Sequence, residues 1–320
     1  MSLREFDLID RYFSDLEHEQ SNVICGIGDD AAVLDIPEGH ELHVSVDSFV
    51  HGIHFPPNTS AYNIGYKSLA VNLSDIAAMG ASPRWATLAL TLPEINDEWL
   101  EGFARGFADL ARKFGISLIG GDTTSGPLSV TIQIMGVAKK GSAVLRSGAS
   151  PGDLVYVSAC LGAASFAAEA LKHKVDDGAI PTHCLHRLHR PEPRVELGQH
   201  LNALASAAID ISDGLEADLN HILLSSQVAA EVELVKLPVC THLKKLENKD
   251  QLWQLALAAG DDYELCFTVS QENKAELERR CINLGYPLSC IGSIVEGTGV
   301  RWLGEGGAEV KMELQGFRHF

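Results

Sequence analysis

The sequence predicts a two-domain α/β protein, and three observations carry that expectation. The chain has 320 residues, enough for two domains of ordinary size. Strand-type and helix-type hydrophobic periods alternate along it. Between them lies Arg146-Ser-Gly-Ala-Ser-Pro-Gly-Asp153, a turn-forming stretch poor in apolar residues. The boundary is therefore set just before that stretch, giving residues 1–140 and 141–320. Hydrophobic residues make up 46% and charged residues 21% of the chain, ordinary globular proportions that allow each half a buried core.

The elements follow in order. Asn22-Val-Ile-Cys-Gly-Ile-Gly28 reads as a first strand and tight turn, and Leu42-His-Val-Ser-Val46 as a strand running into Asp47. From Tyr62 to Met79, Leu69, Leu73 and Ile76 recur at helical spacing, and Gly80 is the stop. A clearer helix runs from Asp97 to Phe114: Trp99, Phe103, Phe107, Leu110 and Phe114 form its apolar stripe, Asn96 caps it and Gly115 ends it. Val130, Ile132 and Ile134 alternate with Thr131, Gln133 and Met135, a strand pattern. Past the boundary, Leu154-Val-Tyr-Val157 begins a second alternation. Ser212 is placed to cap a helix carrying Leu215, Leu219, Ile222 and Leu223. Tyr263 to Val269 reads as a strand and Glu272 to Leu284 as a polar-faced helix.

Composition narrows the function classes. A formal net charge of −18 disfavours a nucleic-acid partner, because such binding rests on Lys and Arg neutralising phosphates. Acidity on this scale serves either solubility or cation binding. The N-terminal Met1-Ser-Leu-Arg-Glu-Phe-Asp7 lacks the apolar core of a signal peptide, and no apolar run approaches the roughly 18 residues that span a bilayer. Seven cysteines, an odd number without a C-x-x-C pair, read as reduced core residues of a cytoplasmic protein. His183, Cys184, His186 and His189 raise the question of a soft-metal site. With no paired second cluster and with Pro191 and Pro193 close by, they read as a surface loop.

The chemistry is expected at aspartates. Six segments place a carboxylate at a glycine turn or at the end of an apolar run: Gly26-Ile-Gly-Asp-Asp-Ala, Ser45-Val-Asp-Ser, Asn72-Leu-Ser-Asp-Ile, Gly120-Gly-Asp-Thr-Thr, Asp210-Ile-Ser-Asp-Gly and Gly260-Asp-Asp-Tyr-Glu. Each alone suits a cap or a turn. Together, with few Lys or Arg beside them, they suit Mg²⁺ shared with substrate phosphates, a hard cation that takes oxygen ligands. The first segment nearly spells the dinucleotide fingerprint, but Asp29 and Asp30 in the loop would repel a bare pyrophosphate. No Gly-Lys-Ser/Thr, His-Arg-Asp or Asp-Phe-Gly occurs, so nucleotide chemistry belongs to another class of fold.

Five motifs carry a family resemblance: Gly26-Ile-Gly-Asp-Asp-Ala-Ala-Val, Lys67-Ser-Leu-Ala-Val-Asn-Leu-Ser-Asp-Ile-Ala-Ala-Met-Gly-Ala, Gly120-Gly-Asp-Thr-Thr, Ile209-Asp-Ile-Ser-Asp-Gly-Leu and Gly260-Asp-Asp-Tyr-Glu-Leu-Cys-Phe. In this order they resemble the thiamine-monophosphate kinases, of the superfamily of aminoimidazole ribonucleotide synthetase and selenophosphate synthetase. The resemblance covers nearly the whole chain. It implies the two-domain aminoimidazole ribonucleotide synthetase-like fold, a homodimer through joined N-terminal sheets, and ATP in a cleft completed by the C-terminal domain. It also implies Mg²⁺-assisted, in-line transfer of the γ-phosphoryl group to thiamine monophosphate. By position, Asp30, Ser45, Asp47, Asp75, Asp122, Asp210 and Asp213 resemble the metal ligands, and Gly121, Asp122, Arg146 and Ser212 the nucleotide contacts. His54, Asp261 and Phe317 match the positions that hold thiamine monophosphate, and no side chain is assigned as general base.

Three positions depart from the family pattern. Val46 offers a metal only its backbone carbonyl, Asp261 is one methylene shorter than the more usual Glu, and Phe317 stands where Tyr or Trp is expected. The runner-up in the superfamily, a selenophosphate synthetase, needs a Lys near its reactive cysteine, and none accompanies Cys25. Joining two phosphates costs about 4 kcal/mol per pair of unit charges at about 4 Å and an effective dielectric near 20. Bridging metals remove that penalty, and a site built of many aspartates answers it.

Overall fold

The computed structural model describes residues 5–16 and 22–316, and in it the alternating run through Ser45 becomes the edge strand of a four-stranded sheet. The chain forms two units: Met1–Ile76 with Ala81–Gly141, and Ala77–Gly80 with Ser142–Phe320.

The first unit contains α1 (Glu5–Tyr12), β1 (Val23–Cys25), β2 (Val33–Leu34), β3 (His40–Val50), α2 (Ala61–Ala78, whose last two residues group with the second unit), β4 (Ser82–Leu92), α3 (Asp97–Phe114), β5 (Ser117–Ser125) and β6 (Ser129–Lys139). Its sheet runs β3-β6-β4-β5, with the first two pairings antiparallel and β4–β5 parallel. α3 makes the crossover that a parallel pair requires. Its ends are as expected: Asn96 Oδ1 accepts from the Trp99 amide at 3.0 Å, and Gly115 closes the helix in the left-handed region. Asp97 and Glu98 in its first turn and Arg112 and Lys113 in its last complement the helix dipole.

Leu69 and Leu73 of α2, Phe103 and Phe107 of α3 and Ile132 and Ile134 of β6 are all buried. α2 and α3 cross nearly backbone to backbone, because a Cβ on Gly65 would lie 2.1 Å from the Phe103 carbonyl oxygen and one on Gly106 2.0 Å from that of Tyr62. On the other sheet face, Trp85, Ile119, Met135 and Val137 form a small cluster covered by Val23, Ala32, Leu34 and Ile36 from the β1–β2 region. Leu42, Val44 and Val46 on the edge strand β3 stay 42%, 52% and 56% exposed.

The second unit contains β7 (Leu154–Ser158), α4 (Ala163–Lys172), α5 (Thr182–His189), α6 (Val195–Leu201), β8 (Ala205–Ile211), α7 (Leu215–Ser226), β9 (Ala229–Glu233), α8 (Lys249–Leu257), β10 (Glu264–Val269), α9 (Lys274–Cys281), β11 (Leu288–Val295) and β12 (Gly299–Leu303). Its six-stranded sheet runs β12-β9-β11-β7-β10-β8, antiparallel except for β12–β9. Val155, Val157, Ile209, Leu219, Cys266 and Ile291 belong to its apolar core. All seven cysteines are free, and Cys184, Cys240, Cys266 and Cys281 are buried. No described helix is long and apolar enough to cross a membrane.

The structure corrects four local expectations. The stretch 182–189 is not a surface loop but helix α5, which buries Cys184 and Leu188; its apolar positions are four apart, a helical signal masked by the surrounding His and Arg. Ser212 does not cap α7, whose N-cap is Gly214 without a side-chain bond. β10 starts at Glu264 because Tyr263, at φ 50°, lies outside the extended region. The helix expected over 272–284 is a short 3₁₀ turn, Gln271–Asn273, followed by α9 ending at Cys281.

Gly65→Ala tests the helix crossing. Alanine favours a helix by about 1 kcal/mol over glycine, yet the close approach to Phe103 forces α2 and α3 apart. A net loss of about 1–3 kcal/mol is expected, read as a lower urea midpoint, whereas an unchanged midpoint would show that the pair separates freely.

Candidate functional site

In the first unit the site begins with the period of β3. Ser45 and Asp47 sit two residues apart and so share one face of the strand, while Val44 and Val46 face the opposite way. Ser45 donates its hydroxyl to Asp75 Oδ2 on α2 at 2.5 Å, so two of the expected ligands from different elements meet. The Val46 side chain points away from that pair, leaving its carbonyl as the only group it offers there.

The other expected residues of this unit lie on separate turns and strands. Asp30 is exposed in the turn after β1, where its amide donates to Asp29 Oδ1 at 2.9 Å. Asp122 is exposed on β5 and pairs with Ala89, one row beyond the register row through Asp47, Ile132, Leu88 and Gly121. Gly121 must be glycine, because a Cβ there would lie 1.9 Å from the Leu88 carbonyl oxygen. His54 follows β3, stacks on Phe49 at 5.4 Å between ring centroids, and accepts the Val50 amide at Nδ1 at 3.0 Å. That bond requires a lone pair on Nδ1 and so assigns the proton to Nε2, making Nε2 a donor.

In the second unit, Asp210 is buried near the end of β8, Ser212 is half-buried and Asp213 is exposed. The segment Gly260–Tyr263 lies along this turn: the Asp261 amide donates to Ser212 O at 2.8 Å and the Tyr263 amide to Ile211 O at 2.8 Å. A Cβ on Gly260 would come within 2.2 Å of Ser212 O, so the contact is as close as backbones allow. Asp261 and Tyr263 both hold left-handed backbone, at φ 68° and 50°. Non-glycine residues in that region carry strain of about 1–3 kcal/mol each, a cost that collects at working sites. Ser212 and Asp261, expected to touch nucleotide and substrate respectively, are thus neighbours. Arg146 is exposed on a turn secured by Ser226, whose hydroxyl accepts the amides of Gly148 and Ala149 at 3.1 and 3.2 Å. Phe317 lies outside the described residues.

Three carboxylates that shape the site's turns escaped the sequence reading. Asp218, in the first turn of α7, accepts the amides of Ser212 and Asp213 on Oδ2 at 2.9 and 3.0 Å and so shapes that turn. Burial pushes its pKa up to about 7, against the lowering effect of the two amides. Its signal was an aspartate in the first turn of a helix. Asp262, not Asp261, is the buried member of its pair, and both its oxygens accept the Gly162 amide, at 2.9 and 3.1 Å. Glu264 is wholly buried and bound by Arg194 and Arg187. Nothing local in the sequence pairs these partners, which lie far apart along the chain.

Chemically, the two units hold carboxylates and hydroxyls suited to hard cations, one guanidinium on a fixed turn, and an oriented imidazole donor. Residues 28–138 match the family model described as AIR synthase related protein, N-terminal domain. The chain is 43% identical to the thiamine-monophosphate kinase of Escherichia coli (strain K12) over 322 residues, spanning 100% of this chain and 99% of that protein. A solved thiamine-monophosphate kinase from Stenotrophomonas maltophilia K279a superposes with a TM-score of 0.86 at 45% identity, covering 97% of this chain and 99% of the other. AaThiL complexed with AMPPCP and TMP superposes with a TM-score of 0.77 at 30% identity over 100% of both chains.

Asp218 offers a test of how the Ser212 turn is built. Asp218→Ala leaves two amides without their acceptor and is expected to destabilise the protein by about 2–3 kcal/mol. Asp218→Asn keeps a carbonyl acceptor in the same place and should recover most of that loss in urea unfolding. Equal losses in the two variants would mean that the amide contacts do not shape the turn.

Proposed function

The chain belongs to the thiamine-monophosphate kinase family, and from that premise we propose that it uses ATP to phosphorylate thiamine monophosphate to thiamine diphosphate. The observation that carries this reading is the end-to-end identity of 43% with an enzyme of that name. The AaThiL complex, which holds the ATP analogue AMPPCP together with TMP, supports ATP as co-substrate and TMP as acceptor.

Magnesium is the proposed metal, and the donors fit it. The joined pair Ser45–Asp75 and the neighbouring Asp47 offer only hard oxygen atoms. Asp30, Asp122, Asp210 and Asp213 complete the proposed ligand set. Bound there, Mg²⁺ supplies the neutralisation of phosphate charge that lets two anions approach. The chain's own groups do the rest. Exposed Gly121 and Asp122 are the proposed nucleotide contacts on β5, Arg146 grips a phosphate, and Ser212 contributes its hydroxyl. Asp261, and Phe317 by family position, hold the thiamine moiety.

His54 is proposed as a positioning donor rather than a base. Nδ1 accepts the Val50 amide, so Nε2 carries the proton and is the donor proposed to face the acceptor phosphate. That acceptor has a second pKa of about 6 and is mostly a dianion near neutrality, so no proton must be removed before it attacks. The γ-phosphoryl group is then transferred directly and in line: an acceptor phosphate oxygen bonds to the γ-phosphorus as its bond to the bridging oxygen of the β-phosphate breaks, and ADP leaves.

A homodimer is proposed through β3. That strand is 11 residues long, lies at the sheet edge, and shows Leu42, Val44 and Val46 to water in one apolar stripe. A long apolar edge of this kind is a template for pairing, and a second copy would cover it. Seven free thiols suit the reducing cytoplasm, which is the proposed location.

The decisive assay mixes ATP, Mg²⁺ and thiamine monophosphate and follows ADP and thiamine diphosphate. Turnover is expected with the monophosphate and not with thiamine, and Asp75→Asn should keep less than about a tenth of it, a barrier rise of about 1.4 kcal/mol or more. Equal use of both acceptors would sink the proposed specificity. His54→Gln keeps a donor without a base, so KM should rise while kcat falls by less than about tenfold; a several-hundredfold collapse of kcat would make His54 the base. In sedimentation the protein should run near twice 34.5 kDa and Val44→Lys should shift it toward that single-chain mass. A wild-type monomer would overturn the dimer.

A further inference from the structure

Helix α5 and the segment that follows Val239 bring four soft ligands together in the second unit. The ligand atoms of His183, Cys184, Cys240 and His242 all lie within 4.8 Å of one another. Cys184 Sγ is 4.0 Å from Cys240 Sγ, and His183 Nε2 is 3.2 Å from the first sulfur and 3.5 Å from the second. A tetrahedral zinc ion with bonds of about 2.3 Å to sulfur and about 2.0 Å to nitrogen sets its ligands about 3.8 Å apart between sulfurs and about 3.5 Å between sulfur and nitrogen. The three separations fall within a few tenths of an ångström of those edges.

The surroundings also point to a cation. His242 Nδ1 is buried without a hydrogen-bond partner, an expensive state for a ring nitrogen beside two thiols. The His242 ring lies 4.8 Å from that of His183 and 6.2 Å from that of Phe166, so a modest swing brings it to the others. Both cysteines are buried, whereas His183 is exposed and offers a path for metal entry. None of the four residues belongs to the proposed kinase chemistry.

We infer that His183, Cys184, Cys240 and His242 form a structural zinc site of two thiolates and two imidazoles. The ligand types select zinc over magnesium, and four protein ligands leave no open position, the mark of a structural site. Binding releases the two thiol protons, so the charge of Zn²⁺ is balanced by two thiolates. The ion ties α5 to the segment carrying Val239, whose bridge partner Leu161 precedes Gly162. Gly162 donates to Asp262, and Arg187 of α5 holds Glu264, so the site braces the Gly260–Glu264 segment from behind.

The test uses the full chain, purified without chelator and under reducing conditions. Elemental analysis should find about one zinc per chain, released by a thiol-modifying reagent, and cobalt loaded in its place should give the intense visible bands and thiolate charge transfer of a tetrahedral site. Cys184→Ser and Cys240→Ser should each reduce bound zinc to about a tenth or less, and metal removal should lower the thermal midpoint by at least about 5 °C. Should the serine variants fail to fold, His242→Gln together with the cobalt spectrum of the wild type decides. The inference is overturned if the metal-free protein takes up no zinc, if zinc content is unchanged in the variants, if iron or copper occupies the site instead, or if Cys184 and Cys240 form a disulfide in the presence of zinc.

Discussion

Glu264 carries a charge with no exposed surface, and the loops of the second unit depend on how that charge is matched. Arg194 binds it in a two-point fork at 2.6 and 2.7 Å, Ser158 donates at 2.5 Å, and Arg187 completes the shell. The Arg194 guanidinium in turn lies 4.0 Å from the centre of the Tyr286 ring. The knot joins the end of β7, the start of β10, helix α5 and the residue before α6. Removing one partner from such a group typically costs about 3–5 kcal/mol. The left-handed residues just before it, Asp261 and Tyr263, cost about 1–3 kcal/mol each. The firmly held carboxylate at the head of β10 thus anchors the chain directly after the two strained residues.

The carboxylates named above fall into two classes by burial, and the division matches their proposed roles. Glu264, Asp262 and Asp218 are buried and satisfied by guanidinium groups or backbone amides; they hold the shape of turns. Asp30, Asp122 and Asp213 are exposed and solvated at little cost, as suits their proposed role as ligands of a cation brought in with a polyphosphate. Asp75 stands between the classes, half-buried and holding the Ser45 hydroxyl. A site for two phosphates needs this second class, because repulsion of about 4 kcal/mol per charge pair is relieved by cations and not by further anions.

Legibility in the sequence tracked the range of the interactions involved. α3 was readable to the residue because its cap, stripe and terminal glycine all act within a turn or two. β3 and β6 were readable as strands, though longer than their alternation alone suggested. The Ser212 turn was misread: a serine before a helix is an ordinary cap, and only the fold reveals that Asp218 reaches back to take the amides instead. α5 was hidden by its polar composition, and the Cys240–His242 pair that faces it is remote in sequence, so neither half of that cluster announced the other. Asp261 and Asp262 are adjacent and chemically identical; which one is buried is decided by Gly162, a partner no local pattern names. Long-range matching was the part the sequence concealed.

Strand β3 shows how few residues separate the proposed chemistry from the proposed assembly. Ser45 and Asp47 face one side, with Ser45 bonded to Asp75; Leu42, Val44 and Val46 face the other and make the apolar stripe. Because side chains alternate with a period of two, a slip of one residue would turn Ser45 and Asp47 outward and the valines inward. The pairing with β6 runs unbroken from His40↔Lys139 to Val50↔Ser129, which fixes the register along the whole strand. Ile132 and Ile134, opposite Asp47 and Ser45, are fully buried, so the apolar core on that side resists the slip as strongly as the hydrogen bonds do. Core packing of β6 thus holds Ser45 against Asp75 and presents Val44 and Val46 to water by the same register, which is why neither face of β3 can be altered in alignment without disturbing the other.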